Sequence, residues 1–401
     1  MTLGEIIHSH QRLRLYCESE HYKGWDPFDG LNSKVFQHLP LLKRSAFWRE
    51  VMVQGFKRCP LNLRPMLRVP KEYNPKGIAL FLQGYCNLLK VVRQCPGLSS
   101  QIGTEDELLL KVTELADLLI SLQSKGNYHG ACWGYNFDWQ ARGGLFFPKY
   151  SPTVVVTSFC ATALMEAYEI TGQKRYLDIA LTSADFVIND LHRHYTGEDS
   201  FLFSYSPLKG NDMVYNASML GSRLLAYCYK YSGREELREA ARQSVKACLE
   251  GQSADGSWRY GLLPIQKWVD SFHTGYILDC LAAYEELTGD MVAHDAIEKG
   301  FDYYVEHFFE PNGTPKYYNN KKYPIDIHCP GQLLVTLARL HKLSSHQALA
   351  DKVVDWTLRN MQARQGWFYY QIRPVLSSRI SYMRWNNAFM FYSLSYYITS
   401  D

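Results

Sequence analysis

Apolar residues along this chain recur at helical spacing in blocks of about 15 to 20 residues, and most of the blocks come in pairs. The pattern is complete between Gln252 and Tyr284, QSADGSWRYGLLPIQKWVDSFHTGYILDCLAAY. Asp255-Gly256 has the chemistry of a reversal, Trp258 and Tyr260 make an aromatic segment, and Gly261 to Pro264 make a loop. From about Lys267 the apolar positions Phe272, Tyr276, Leu278, Leu281 and Ala282 fall at helical spacing, while the first turns carry Asp270, Ser271, His273 and Thr274. Polar groups thus gather where the loop enters the helix. The same order recurs in NYHGACWGYNFDWQ before a helix from Thr153, FLFSYSP before one from Asp212, NGTPKYY before one from Ile325 and QGWFYY before one from Ile380. A degenerate repeat of roughly 50 to 70 residues predicts stacked supersecondary units.

The periodicity predicts helices over 3–19, 33–57, 77–94, 105–124, 153–171, 174–195, 212–232, 234–251, 268–287, 290–309, 325–343, 345–363 and 380–398. Connections such as Thr171-Gly172-Gln173, Ser232-Gly233-Arg234 and Thr288-Gly289-Asp290 are short, with a glycine suited to a left-handed helix stop. The others are long and aromatic. Five hairpins follow from residue 77 to 363, and pairing the helices at 33 and 380 makes a sixth. The expected architecture is an all-α (α/α)6 toroid over residues 33–401, preceded by an N-terminal helix and connector over 1–32. Long loops then share one face, and the first helix of each hairpin runs inward from it. Thr157, Ser158, Asn216, Asp270, His273, Asp326, His328, Arg384 and Asn387 all stand at the starts of these inner helices and should meet at one mouth.

Composition narrows the class. With 46% hydrophobic and 21% charged residues in 401, the chain should fold throughout. The balance of 43 basic against 40 acidic residues lacks the footprint of a nucleic-acid binder. The opening MTLGEIIHSHQRLRLYCESEH has no basic segment followed by an apolar core, and charges interrupt every apolar run, so a soluble cytoplasmic chain without a membrane span is expected. Ten cysteines without paired spacing, several inside apolar stripes, suit core thiols in a reducing compartment.

Candidate chemistry lies in the loops and at the inner helix starts. Trp133, Tyr135, Asp138, Trp139 and Arg142 share GACWGYNFDWQARGG, and Trp258, Tyr260 and Tyr369 lie in equivalent loops. Flat rings stack on the C–H faces of a sugar and charged groups take its hydroxyls; loop packing is the plain alternative. Asp270 and His273 stand at i, i+3, where the carboxylate can orient the imidazole or simply cap the helix. Asp326 and His328 repeat the pairing, with Tyr317 and Tyr318 in the preceding loop. Asn216 opens another inner helix. Arg384 in an aromatic helix requires an anion, which is either a substrate carboxylate or one of the chain's own aspartates. His129, Cys132, His328 and Cys329 raise the question of zinc, but no H-E-x-x-H or paired C-x-x-C is present, so neither metal nor cofactor is expected. Phosphate-binding, dinucleotide and nucleophile-elbow motifs are absent.

The run SFHTGYILDCLAAYEELTGD, followed by NGTPKYY and YPIDIHCPGQLLVTLARL, resembles the C-terminal catalytic region of the glucuronyl C5-epimerases, which are α/α-toroid carbohydrate-active enzymes. The resemblance covers about a quarter of the chain and implies C5 proton transfer by Tyr317 or Tyr318 with His328. The expected function is epimerisation of an acidic sugar, with His273 or His328 and a tyrosine working from opposite ring faces and Arg384 holding the carboxylate. A hydrolase or lyase using two of Asp138, Asp270 and Asp326 is the alternative, and a non-catalytic glycan- or protein-binding toroid the third.

Overall fold

In the computed structural model, which describes residues 2–141 and 144–399, the segment from Val154 to Ala167 is buried at every position. A helix that is apolar all round has to be surrounded, whereas EELREAARQSVKACLE buries only one stripe through Leu237, Ala241, Val245 and Cys248. This difference sorts the helices into an inner and an outer set.

The helices are α1 (Leu3–Ser19), α2 (Lys34–Gln37), α3 (Pro40–Arg44), α4 (Ala46–Arg58), α5 (Pro75–Gln94), α6 (Ser99–Ile102), α7 (Glu105–Ser121) and α8 (Val154–Thr171). They continue as α9 (Lys174–Asp190), α10 (Tyr215–Ser232), α11 (Glu235–Glu250), α12 (Ser271–Thr288), α13 (His294–Phe308), α14 (His328–Arg339), α15 (Gln347–Met361) and α16 (Phe389–Thr399). A π-helical turn, Met383–Ala388, leads into α16. Helices α5, α8, α10, α12, α14 and α16 pack each on the next, and α16 returns to α5. Outside them α7, α9, α11, α13 and α15 lie on their hairpin partners, which makes an (α/α)6 toroid. Glycines set the closest crossings: a Cβ on Gly84 would meet a Phe391 ring carbon at 2.5 Å, and one on Gly275 would meet Gln332 Cγ at 2.4 Å. Gly172, at φ +70°, ends α8 as its left-handed cap. By length and composition α8 is able to cross a membrane, yet 78% of it is buried inside the ring.

The ring closes differently from the expectation. The outer partner of α16 is α1, not the helix expected over 33–57. Ile6, Ile7, His10, Leu13 and Cys17 form the buried stripe of α1, and a capping box from Thr2 and Glu5 fixes its start. Pro40 and Ser45 break the 33–57 segment into α2, α3 and α4, which lie over the long-loop face against the Asp29–Asn32 turn and the Trp139–Gln140 strand. Residue 32 therefore does not separate α1 from the ring.

The α1–α16 contact includes an ionisable group. His10 is buried, its Nε2–H donates to the Phe391 carbonyl at 3.0 Å, and its ring lies 4.4 Å from that of Phe391. Burial lowers its pKa from 6.5 to about 4. The unfolded chain takes up this proton below 6.5 and the folded chain only near 4, so stability present at neutral pH is lost as pH falls through that window. The loss should be on the order of 3 kcal/mol from this group. Urea unfolding at pH 7 and pH 4.5 should show His10→Leu to be less acid-sensitive than the parent; equal sensitivity would remove His10 from the account.

Candidate active site

Two histidines enter the mouth from neighbouring inner helices, each fixed by its own hydrogen bonds. Asp270 caps α12: one carboxylate oxygen accepts from the His273 backbone N–H at 3.1 Å, and the other accepts from His273 Nδ1 at 2.7 Å and Trp268 Nε1 at 2.9 Å. A carboxylate can only accept, so the proton sits on Nδ1 and Nε2 is left as the acceptor of the neutral ring. Asp270 is fully buried while 19% of the His273 side chain is exposed. Tyr260, stacked on Trp268 at 4.6 Å, lies against the same imidazole.

His328 opens α14. Its Nδ1 lies 3.3 Å from the Trp385 carbonyl, which assigns the proton there, and its Nε2 accepts from the Tyr276 hydroxyl at 2.7 Å. Burial, then the charges of Lys76 and Arg384, hold this imidazole well below its ordinary pKa, so it is neutral. Tyr276 stands between the two imidazoles, its ring centre 6.3 Å from His273 and 6.0 Å from His328. Burial pushes its phenol up, so the hydroxyl keeps its proton. That hydroxyl also accepts from Lys76 Nζ at 3.2 Å.

Lys76 sits directly after Pro75 at the start of α5, buried, with its ammonium 4.0 Å from the Phe159 ring centre. Arg223 approaches the same ring at 5.2 Å, bonds weakly to Ser158 Oγ at 3.4 Å, and leaves its buried Nε without a partner. Among the described residues no carboxylate lies within ion-pair distance of Lys76 or Arg223. Burial, with the Arg384 and Arg223 charges beside it, holds Lys76 well below its usual range.

The structure brings several expected residues together and removes others. Arg384 is gripped by Asp26 through Nε at 2.6 Å and Nη2 at 2.9 Å, both groups buried, so its anion is the chain's own aspartate and not a substrate carboxylate. Asp326 is fully buried and accepts from Trp385 Nε1 at 2.8 Å, Gln371 Nε2 at 2.6 Å and the His328 backbone at 3.0 Å. It fastens three segments together and does not touch the His328 imidazole, which argues against a catalytic role. Trp133 and Trp258 are core residues, donating to the Leu119 and Cys248 carbonyls at 2.8 and 2.9 Å, and cannot stack on a ligand. Asp138 accepts from the Lys149 backbone and lines a side cleft of about 520 Å³ with Leu31, Lys43, Arg44 and Phe146. Trp139 stacks on Phe147 at 4.9 Å, and Tyr135 lies under the Arg384 guanidinium at 5.0 Å. Tyr317 packs edge-on against Phe272, with Tyr318 beside it, and Tyr369 lies near Arg379. Asn216 is buried with its carbonyl oxygen unpaired. Arg142 lies outside the described residues. His129 bonds to Asp190 at 2.8 Å, Cys132 and Cys329 are buried, and among the described residues no group of three or more His, Cys, Asp or Glu is arranged around a metal position.

Lys76, Arg223, Tyr276 and Asp26 were not among the residues expected at the site. A lone cation in an apolar helix was a readable signal for Lys76 in NPKGIALFL and Arg223 in SMLGSRLLAY, the same one that marked Arg384. Tyr276 was absorbed into the apolar stripe of its helix.

No protein-family model and no curated protein sequence matches this chain. Solved structures do share its fold. A cellobiose 2-epimerase from Bacillus thermoamylovorans superposes with a TM-score of 0.59 at 11% identity over 82% of this chain and 90% of that one. A sugar epimerase from a ruminal bacterium gives 0.58 at 12% identity over 83% and 90%. An unsaturated glucuronyl hydrolase specific for heparin gives 0.57 at 12% identity over 82% and 87%. The fold that these structures share with this chain is the α/α toroid.

Because Asp26 and Arg384 are both buried, Asp26→Ala should leave an unpaired guanidinium and lower unfolding stability by about 3–5 kcal/mol in urea. Lys76→Met, which removes a buried cation with no carboxylate, should be neutral or stabilising. A loss of similar size in Lys76→Met would show that Lys76 serves the fold.

Proposed function

We propose that this chain is a carbohydrate-active enzyme that moves a proton at a sugar carbon, with C5-epimerisation of an acidic sugar as its reaction. The observation that carries the reading is the arrangement of His273, Tyr276 and His328 beside two cations that have no carboxylate within ion-pair distance among the described residues. Abstraction at the carbon next to a carboxylate moves negative charge onto the carboxylate oxygens, and Lys76 and Arg223 supply the matching positive charge. These two cations take over the role first expected of Arg384.

His273, oriented by Asp270, removes the proton through Nε2. Tyr276 returns one to the opposite ring face and is reprotonated through Lys76, while His328 holds the phenol in place. Tyr276 thus takes the part that the family resemblance gave to Tyr317 or Tyr318. Paired-carboxylate hydrolysis is less well supported because Asp138, Asp270 and Asp326 each already accept hydrogen bonds from the protein. The structural neighbours, two of them epimerases and one a glucuronyl hydrolase, support a saccharide substrate.

Incubation with uronic-acid glycans in D2O should place deuterium at C5. His273→Ala and His328→Ala should each slow that exchange by ~10²-fold or more with unfolding curves preserved. Reducing ends released without deuterium would transfer the case to hydrolysis, and unchanged exchange in His328→Ala would remove that residue from the mechanism.

A further inference from the structure

Large apolar side chains left in water are distributed unevenly over this molecule. Of the 18 exposed ones among the described residues, 14 lie in the segments of the long-loop face. The densest set is on α3, α4 and the loop that follows: Leu41 is 82% exposed, Phe47 and Leu61 66%, and Trp48 44%. Val375 and Leu376 join them from the last long loop, at 96% and 57%. Arg373 in that loop donates to the Arg58 carbonyl at 2.6 Å, which ties the two segments together.

Charge is as uneven as hydrophobicity. Residues 34–68 hold eight lysines and arginines against one acid, Glu50, in a chain whose net charge is only +3. Arg64 is consumed by Asp29, but Lys34, Lys43, Arg44, Arg58 and Arg68 are exposed. Helix α4 buries Val53 and Phe56 on one side and presents Phe47, Trp48 and Val51 on the other.

We propose that this basic, aromatic insertion is an interfacial docking surface for an anionic phospholipid bilayer. Exposures of 82% and 96% describe tips that project, not walls of a groove, so the patch suits insertion into a soft surface better than reception of a helix or strand. Tryptophan, phenylalanine and leucine at headgroup depth, ringed by lysine and arginine, is the pattern that binds in the plane of an anionic interface. A partner recognised by charge alone would leave the apolar tips without a purpose. The insertion also borders the mouth: Lys57 lies 4.5 Å from the Phe28 ring centre, and Phe28 packs on Trp385 at 5.7 Å. Docking through it turns the mouth toward the membrane, where saccharides carried on lipid would be within reach.

Flotation of the full chain with vesicles tests this. Phosphatidylcholine vesicles containing phosphatidylglycerol should carry the protein, phosphatidylcholine alone should not, and added salt should release it. The triple variant Leu41→Ser, Phe47→Ser, Trp48→Ser should bind on the order of tenfold less with an unchanged melting curve. Lys43→Glu with Arg44→Glu should lose about fivefold per charge. No binding to anionic vesicles at low salt, or binding indifferent to the triple variant, would overturn the proposal. Self-association of the parent, abolished by the triple variant, would assign the patch to a second copy of the chain and overturn it equally.

Discussion

A guanidinium beneath the mouth, Arg384, is held by a carboxylate 358 residues away in sequence, Asp26, and much of the site depends on that pair. Burying two charges is expensive, so the pair gains the molecule little net stability against an apolar replacement. What it fixes is register. It ties the connector after α1 to the π-helical turn before α16 at the place where the ring closes. The same turn presents the Trp385 carbonyl to His328 and the Trp385 indole to Asp326. The Arg384 charge then contributes to keeping His328 neutral and to holding Lys76 below the usual lysine range. One ion pair thereby links chain closure to the protonation of the groups that face the mouth.

A good part of this was legible in the sequence. The alternation of helices apolar all round with amphipathic ones follows from burial alone, and it announced a closed double ring. The polar residues at inner helix starts were equally readable, because a buried helix tolerates them only where a loop supplies partners. The i, i+3 spacing of Asp270 and His273 gave the dyad directly. Which helix closes the ring was not legible, since α1 and the 33–57 segment are both amphipathic and the choice depends on a partner near residue 391. Trp133 and Trp258 misled for a related reason: a loop tryptophan reads alike whether it lines a cleft or spaces two hairpins. Only the position of a helix-terminal carbonyl, at Leu119 or Cys248, decides between them.

The neighbours share this ring at 11–12% identity, which is understandable in physical terms. An inner helix needs apolar volume at its flanks and a small residue where it crosses its neighbour tightly, and many sequences meet both conditions. Chemistry is set separately, by the few side chains at the loop-facing ends of the inner helices. The fold therefore says where a reaction would take place and leaves its identity to residues such as His273, Tyr276 and Lys76.

Those residues share an imbalance. Around Phe159 two cations are buried with no carboxylate of the described residues within ion-pair distance, and one of them, Arg223, has a nitrogen with no acceptor among those residues. Satisfying these groups with an aspartate from the chain would have lowered the cost of folding, as it does for Arg384 and Arg64. A protein that pairs two buried arginines with aspartates and leaves a lysine and a third arginine in the same region beyond ion-pair distance of any described carboxylate has stored unfavourable electrostatic energy at one spot. An anion placed there would relieve it and gain from the low dielectric around Phe159, so in the proposed reaction binding energy would be largest where negative charge develops. In the proposed reaction these two cations would be the part of the site that distinguishes an acidic substrate from a neutral one.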